Sequence, residues 1–111
     1  MSEDFKDIPA LSPNVEKQSE NLRKAHTKKY RLIRSGDVKA LQHFVKDPDP
    51  LVRSMVAKYG GLKFCFMLVN DPDDSVRIEV AKKADRNIAT LMVHDPNSTV
   101  VKYAKQILQN V

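Results

Sequence analysis

The chain has no tryptophan, one cysteine, three glycines and 6% aromatic residues in 111 positions. Each shortage excludes something. A lone Cys65 rules out an intramolecular disulfide framework. So few glycines argue against an all-β fold built on many tight turns. The longest apolar run, FCFMLV at 64–69, is far too short to span a bilayer. The opening residues, MSEDFKDIP, are acidic and lack the apolar stretch of a signal peptide. These features favour the cytoplasm. Phosphate-binding glycine loops and nucleophile motifs are missing too. His26, His43 and His94 occupy unrelated places, with no two at metal-ligand spacing, so neither a metal nor a cofactor is expected.

What is present is ordinary in bulk and uneven in detail. Hydrophobic residues make up 41% of the chain and charged residues 30%, as expected of one soluble globular domain. The net charge of +5 is concentrated. Residues 1–15 carry one lysine against three acids, residues 16–46 nine basic against three acidic residues, and residues 47–111 nine against eight. The cationic surplus therefore belongs to one early segment.

Asp-Pro occurs at 47–48, 71–72 and 95–96, with a constant spacing of 24 residues. A period of this length marks a repeat architecture. With the pairs in register, the rest aligns without gaps. Asp49, Asp73 and Asn97 follow each proline, all strong N-cap types. Pro50 fits the first helical position, where its missing N–H costs nothing. Apolar stripes follow at helical spacing: Val52, Met55, Val56 and Tyr59; then Val76, Val80, Ala81 and Ala84; then Val100, Tyr103, Ala104, Ile107, Leu108 and Val111. These are the A helices. A second row of caps, Asp37, Gly61 and Asp85, opens the shorter B segments 38–45, 62–69 and 86–93. At about two turns each, the B segments fit α-helix or partly 3₁₀-helix; a strand reading applies to 64–69 alone and is disfavoured by its sister segments.

The expected class is all-α. Each unit runs helix, turn, short helix, Asp-Pro loop, and stacked units bury a face that no unit buries alone. The opening unit departs from the pattern, because Lys28 stands where Val52, Val76 and Val100 stand. The reading is a flexible tail at 1–11, a longer capping helix at 12–35, and units at 36–46, 47–70, 71–94 and 95–111.

The segments DPDPLVRSMVA (47–57) and DPDDSVRIEVA (71–81) resemble HEAT-like repeats, and the 24-residue period is most similar to the short leucine-rich repeat variant of that group. The resemblance covers 36–111 and implies a small right-handed α-solenoid that alternates an α-helix with a shorter helix. Some members of the group carry an iron–sulfur cluster on a cysteine-rich N-terminal segment; with one cysteine, this chain does not carry that cofactor over. The resemblance also implies ladder contacts between units from Asp47, Arg53, Asp71 and Arg77.

Asp47 and Arg53, like Asp71 and Arg77, lie six residues apart. Ion pairs tying a loop to its helix explain them better than a binding row of Lys29, Arg53 and Arg77, because Arg suits paired, planar contacts. Two other rows, Arg34/Lys58/Lys82 and Lys39/Lys63, flank the A-to-B turns and should line one edge. The helix dipole explains the first row, at helix C-termini, but not the second, at helix starts. The run RKAHTKKYRLIR at 23–34 adds a stripe of Lys24, Lys28 and Arg31. His43 aligns with Met67 and Leu91, which suggests a partly buried place, and Cys65 aligns with Leu41 and Ala89, which reads as core.

The functional expectation is a non-enzymatic binding module, of adaptor or inhibitor type, with a protein partner. The alternative is nucleic-acid binding, with phosphate contacts from Lys24, Lys28, Arg31, Arg34, Lys39, Lys58, Lys63 and Lys82. A membrane partner is disfavoured, since the first helix lacks bulky aromatic anchors. The exposed end of the last unit offers a place for a second copy.

Overall fold

Residues 28–109 are described by the computed structural model, and they form seven α-helices and no strand. The first, α1, includes residues 28–34. It is followed by α2 (Val38–Phe44), α3 (Pro50–Tyr59), α4 (Leu62–Met67), α5 (Asp74–Lys83), α6 (Arg86–Met92) and α7 (Ser98–Gln109). The expected tail at 1–11, the part of the capping helix at 12–27, Lys24 and Val111 lie outside the described residues. The A helices are α1, α3, α5 and α7; the short B helices are α2, α4 and α6.

Local chemistry sets each start. The side chains of Asp49 and Asp73 accept hydrogen bonds from the amides of Leu51 and Ser75, at 2.9 and 2.8 Å. Asn97 accepts from Thr99 and Val100 at the start of α7. Asp37 and Asp85 accept from Ala40 and Ile88 at the starts of α2 and α6. Each bond satisfies an amide that the first helical turn leaves open, an effect typically of about 1 kcal/mol. α4 has no such side chain, because Gly61 stands at its N-cap. There the backbone adopts φ 87°, ψ −179°, a conformation that glycine reaches without strain. The B segments are α-helical, and the last turn of 62–69 tightens to 3₁₀-type bonds, from the amides of Leu68 and Val69 to the carbonyls of Cys65 and Phe66.

α3 packs on α5 and α5 on α7, so these three A helices form a continuous layer. α2 packs on α3, α4 on α3 and α5, and α6 on α5 and α7. The core repeats at the period of the sequence. Val52, Val76 and Val100 are fully buried at one position; Val56, Val80 and Ala104 at a second; Ile33, Ala57 and Ala81 are buried at a third. The B helices add Ala40/Phe64/Ile88, Leu41/Cys65/Ala89 and Phe44/Leu68/Met92. Burying one such aliphatic or aromatic side chain contributes about 1.5–3 kcal/mol.

Two burial expectations need correction. Tyr59 is exposed, and Ala57 takes the buried place on α3. Position 59 aligns with Ser35 and Lys83 at the polar A-to-B turn, where the helix is leaving the core. His43 is exposed as well, along with its aligned partners Met67 and Leu91. A two-turn helix has room for one buried stripe, and in α2 that stripe is Ala40, Leu41 and Phe44.

Candidate interaction surface

The Asp-Pro loops sit at one edge, where a ladder of ion pairs joins each unit to the next. Arg53 donates from Nε and Nη2 to the two carboxylate oxygens of Asp71, at 2.8 and 3.0 Å. Arg77 makes the same fork to Asp95, at 2.9 and 3.3 Å. Lys29 provides the first rung, with Nζ 3.0 Å from Asp47. Every rung spans 18 residues. The six-residue contacts exist but are to backbone: Arg53 Nη1 donates to the Asp47 carbonyl at 2.8 Å, and Arg77 Nη1 to the Asp71 carbonyl at 2.7 Å. The loop-to-own-helix ion pairing is thus corrected, and Lys29 and Asp95 join Asp47, Arg53, Asp71 and Arg77.

Each ladder aspartate also closes its own loop. Asp47, Asp71 and Asp95 accept from the amides of Asp49, Asp73 and Asn97 at 2.8–3.0 Å. Asp71, whose side chain is 4% exposed, is thereby fully engaged. Its hydrogen-bonded carboxylate raises the Arg53 guanidinium above its ordinary value, against the opposing effect of burial. Across the same edge Asn97 donates to Asp74 at 2.9 Å. With Lys29, Arg53 and Arg77 committed to these pairs, they do not form a row open to a partner.

The opposite edge, at the A-to-B turns, carries the basic rows. Arg34, Lys58 and Lys82 close A helices; Lys39 and Lys63 open B helices; all five are exposed. Among the described residues, Arg34, Lys39, Lys58 and Lys63 have no acidic partner within salt-bridge distance. Lys82 lies 3.9 Å from Glu79 on its own exposed helix face, a geometry of little energetic weight. Lys58 and Lys63 lie over the rings of Tyr59 and Phe64. Sequence alignment had missed Lys83 and Arg86, both exposed at the same edge. They interrupt no basic row, since their aligned residues are Tyr59 and Leu62. On α1, Arg31 is exposed and Lys28 is half-buried, so the expected stripe is less open than a helical wheel implies.

Next to this edge lies a feature that hydrophobic periodicity concealed. The solvent faces of α2, α4 and α6 expose Val38 (57%), Leu62 (48%), Phe66 (61%), Met67 (49%) and Leu91 (58%). At roughly 150–250 Å² for a large side chain, these leave on the order of 500 Å² of apolar surface uncovered. Large apolar side chains left uncovered on successive short helices mark this face as a candidate interaction surface.

The remaining reactive groups are structural. Burial raises the Cys65 thiol above its ordinary value, and its Sγ lies 3.3 Å from the Ala57 carbonyl. Burial, followed by the Asp49 charge, raises the Tyr30 hydroxyl. The Ser75 hydroxyl and amide hold the Asp73 carboxyl below its ordinary value. Among the described residues, no group of three or more His, Cys, Asp or Glu is placed to hold a metal, and no helix is long and apolar enough to cross a membrane. Comparison with protein-family models, curated proteins and solved structures found no match.

Proposed function

We propose that this chain is a non-enzymatic binding module, a small right-handed α-solenoid of the HEAT-like type, that engages another protein through the solvent face of its short helices. It belongs in the cytoplasm on this reading, in keeping with its single unpaired, buried thiol. The observation that carries the proposal is the apolar row Val38, Leu62, Phe66, Met67 and Leu91. Exposed side chains of this size cost solubility, and nothing in the fold requires them there. A rigid layer of A helices beneath would hold the row in place before a partner arrives, which lowers the entropic cost of binding. Site-specific photo-cross-linking tests this. A benzophenone amino acid at position 66 should capture a protein from nuclease-treated lysate, and the same group at the exposed Lys102 position should not. Loss of every adduct after nuclease treatment would refute the proposal.

The unpaired cations at the A-to-B turns support a second reading, nucleic-acid binding. Neutralising about five phosphates would give a log–log salt slope of roughly −4 to −5 on duplex DNA. Contacts would be to the backbone, because the exposed faces offer few aromatic platforms for bases. A flat salt dependence, or no binding at low salt, removes this reading.

A further inference from the structure

The three short helices present the same four positions to solvent: 38, 39, 42 and 43 in α2; 62, 63, 66 and 67 in α4; 86, 87, 90 and 91 in α6. Helical geometry, at about 100° per residue, orders these positions across each helix as first, fifth, second and sixth. In α4 that order is Leu62, Phe66, Lys63, Met67, so a lysine position falls between two apolar ones, with its ammonium 5.7 Å from the Phe64 ring centroid. In α2 the same order is Val38, Gln42, Lys39, His43, and in α6 it is Arg86, Thr90, Asn87, Leu91. In α4 a cation position is thus set within the apolar row, while Lys39 and Arg86 border it.

No solvent-facing position of these helices carries an acid. Asp37 and Asp85, at the N-caps of α2 and α6, each accept a helix-start amide. Lys39 and Lys63 sit at helix starts, where a positive charge gains nothing from the dipole. The face is thus apolar and positive together; the Phe64 ring gives Lys63 a local partner, and the helix dipole favours neither lysine.

We infer that this face receives an acidic peptide segment of another protein, with apolar side chains seated on Leu62, Phe66, Met67 and Leu91 and carboxylates meeting Lys39, Lys63 and Arg86. The inference rests on the protein-binding reading above and adds the chemistry of the partner. Charge complementarity selects the acid. The row runs along three short helices, each offering four exposed positions, which suits an extended segment. A second copy of the chain would set like charges opposite one another. Leucine and methionine anchors suit apolar side chains better than bases, and methionine adapts to several of them. Lys63, amid the apolar row, would meet a membrane's acyl region if the face inserted.

Peptide display tests the inference directly. A random twelve-residue library is panned against the full chain and against Phe66→Ser and Lys63→Glu variants. Both positions are exposed, so both variants should retain the far-UV circular dichroism spectrum and melting temperature of the parent. The expected result is enrichment of sequences combining Asp or Glu with Leu, Phe, Ile or Met. Their affinity should fall about tenfold or more in Phe66→Ser. Selection on Lys63→Glu should shift away from acids. Enriched peptides that depend on Phe66 but show no preference for acids would overturn the inference and leave the protein-binding reading standing. Acid-rich peptides indifferent to Phe66→Ser would overturn both. Phosphatidylserine vesicles and duplex DNA are run alongside; Phe66-dependent binding to either, without peptide enrichment, also overturns the inference.

Discussion

The ladder lends itself to a quantitative test. Arg53 satisfies both oxygens of Asp71 and reaches the carbonyls of Asp47 and Pro48. Its side chain is 14% exposed and that of Asp71 is 4% exposed. Removing one member of a buried pair typically costs about 3–5 kcal/mol, chiefly from stranding the other charge. Asp71 would keep the Asp73 amide, and the pair lies at an edge, so Arg53→Met is expected to cost about 2–4 kcal/mol. Asp71→Asn keeps the loop bond and should cost less. The decisive quantity is the coupling energy. For Arg53→Met with Asp71→Asn it should be about 2 kcal/mol, as for residues in direct contact. For Arg53→Met with Asp47→Asn it should be well under half of that, because Arg53 hydrogen-bonds only the Asp47 backbone carbonyl and the Asp47 charge is the weakest of those acting on it. Urea unfolding of the full chain followed by far-UV circular dichroism measures all the variants, since the chain has no tryptophan to report. A 53/47 coupling as large as the 53/71 coupling would refute the inter-unit connectivity. Arg53→Lys should fall between parent and Arg53→Met, since a lysine already serves as the Lys29 rung.

Three further outcomes follow from single residues. Gly60→Ala should destabilise by about 1–3 kcal/mol, as overpacking does, because a Cβ there would lie 2.6 Å from the Val56 carbonyl oxygen and 3.0 Å from the Phe64 ring; an unchanged urea midpoint would count against the tight α3–α4 turn. Asp73 has its carboxyl pKa lowered on folding, so between the folded value and the ordinary 3.8 the unfolded chain binds more protons and stability rises with pH. Asp73→Asn keeps a good cap and should flatten the loss of stability as pH falls below 3.8; acid titration of the urea midpoint measures the difference. Cys65 is buried with its thiol pKa raised, so an aromatic disulfide reagent should label it about 100-fold or more slowly than in the urea-unfolded chain. Equal rates would place the thiol at the surface.

Much of this architecture was legible because the 24-residue period puts homologous residues in one environment. Asp49, Asp73 and Asn97 could be read as caps from type and register alone, and their side chains do accept the first-turn amides. Val52, Val76 and Val100 could be read as one core row. The ladder's connectivity could not, for an arithmetic reason. In a repeat of 24, an aspartate six residues before an arginine and one 18 residues after it occupy the same position of neighbouring units. Spacing therefore cannot tell whether Arg53 pairs with Asp47 or Asp71; only the direction of the side chain decides. The exposed row was hidden differently. Met67 and Leu91 look like core in an alignment, yet α4 and α6 are too short to bury more than the stripes through Phe64 and Cys65, and through Ile88, Ala89 and Met92.

The two observations combine to explain where the surface charge goes. The ladder places Lys29, Arg53 and Arg77 against Asp47, Asp71 and Asp95, so the Asp-Pro edge holds its strongest charges in internal pairs. The remaining loop carboxylates of Asp49 and Asp73 accept capping amides. The net positive charge must then appear elsewhere, and it does so on Arg34, Lys39, Lys58 and Lys63, beside the uncovered Leu62 and Phe66. Had the arginines of the ladder been open instead, the molecule would have presented basic rows on both edges and no reason to prefer either. Because the ladder is closed, the proposed face is where, among the described residues, open cations and the apolar row of the short helices lie together. Breaking a rung without disturbing the short helices should therefore lower stability while leaving peptide affinity at the B-helix face unchanged.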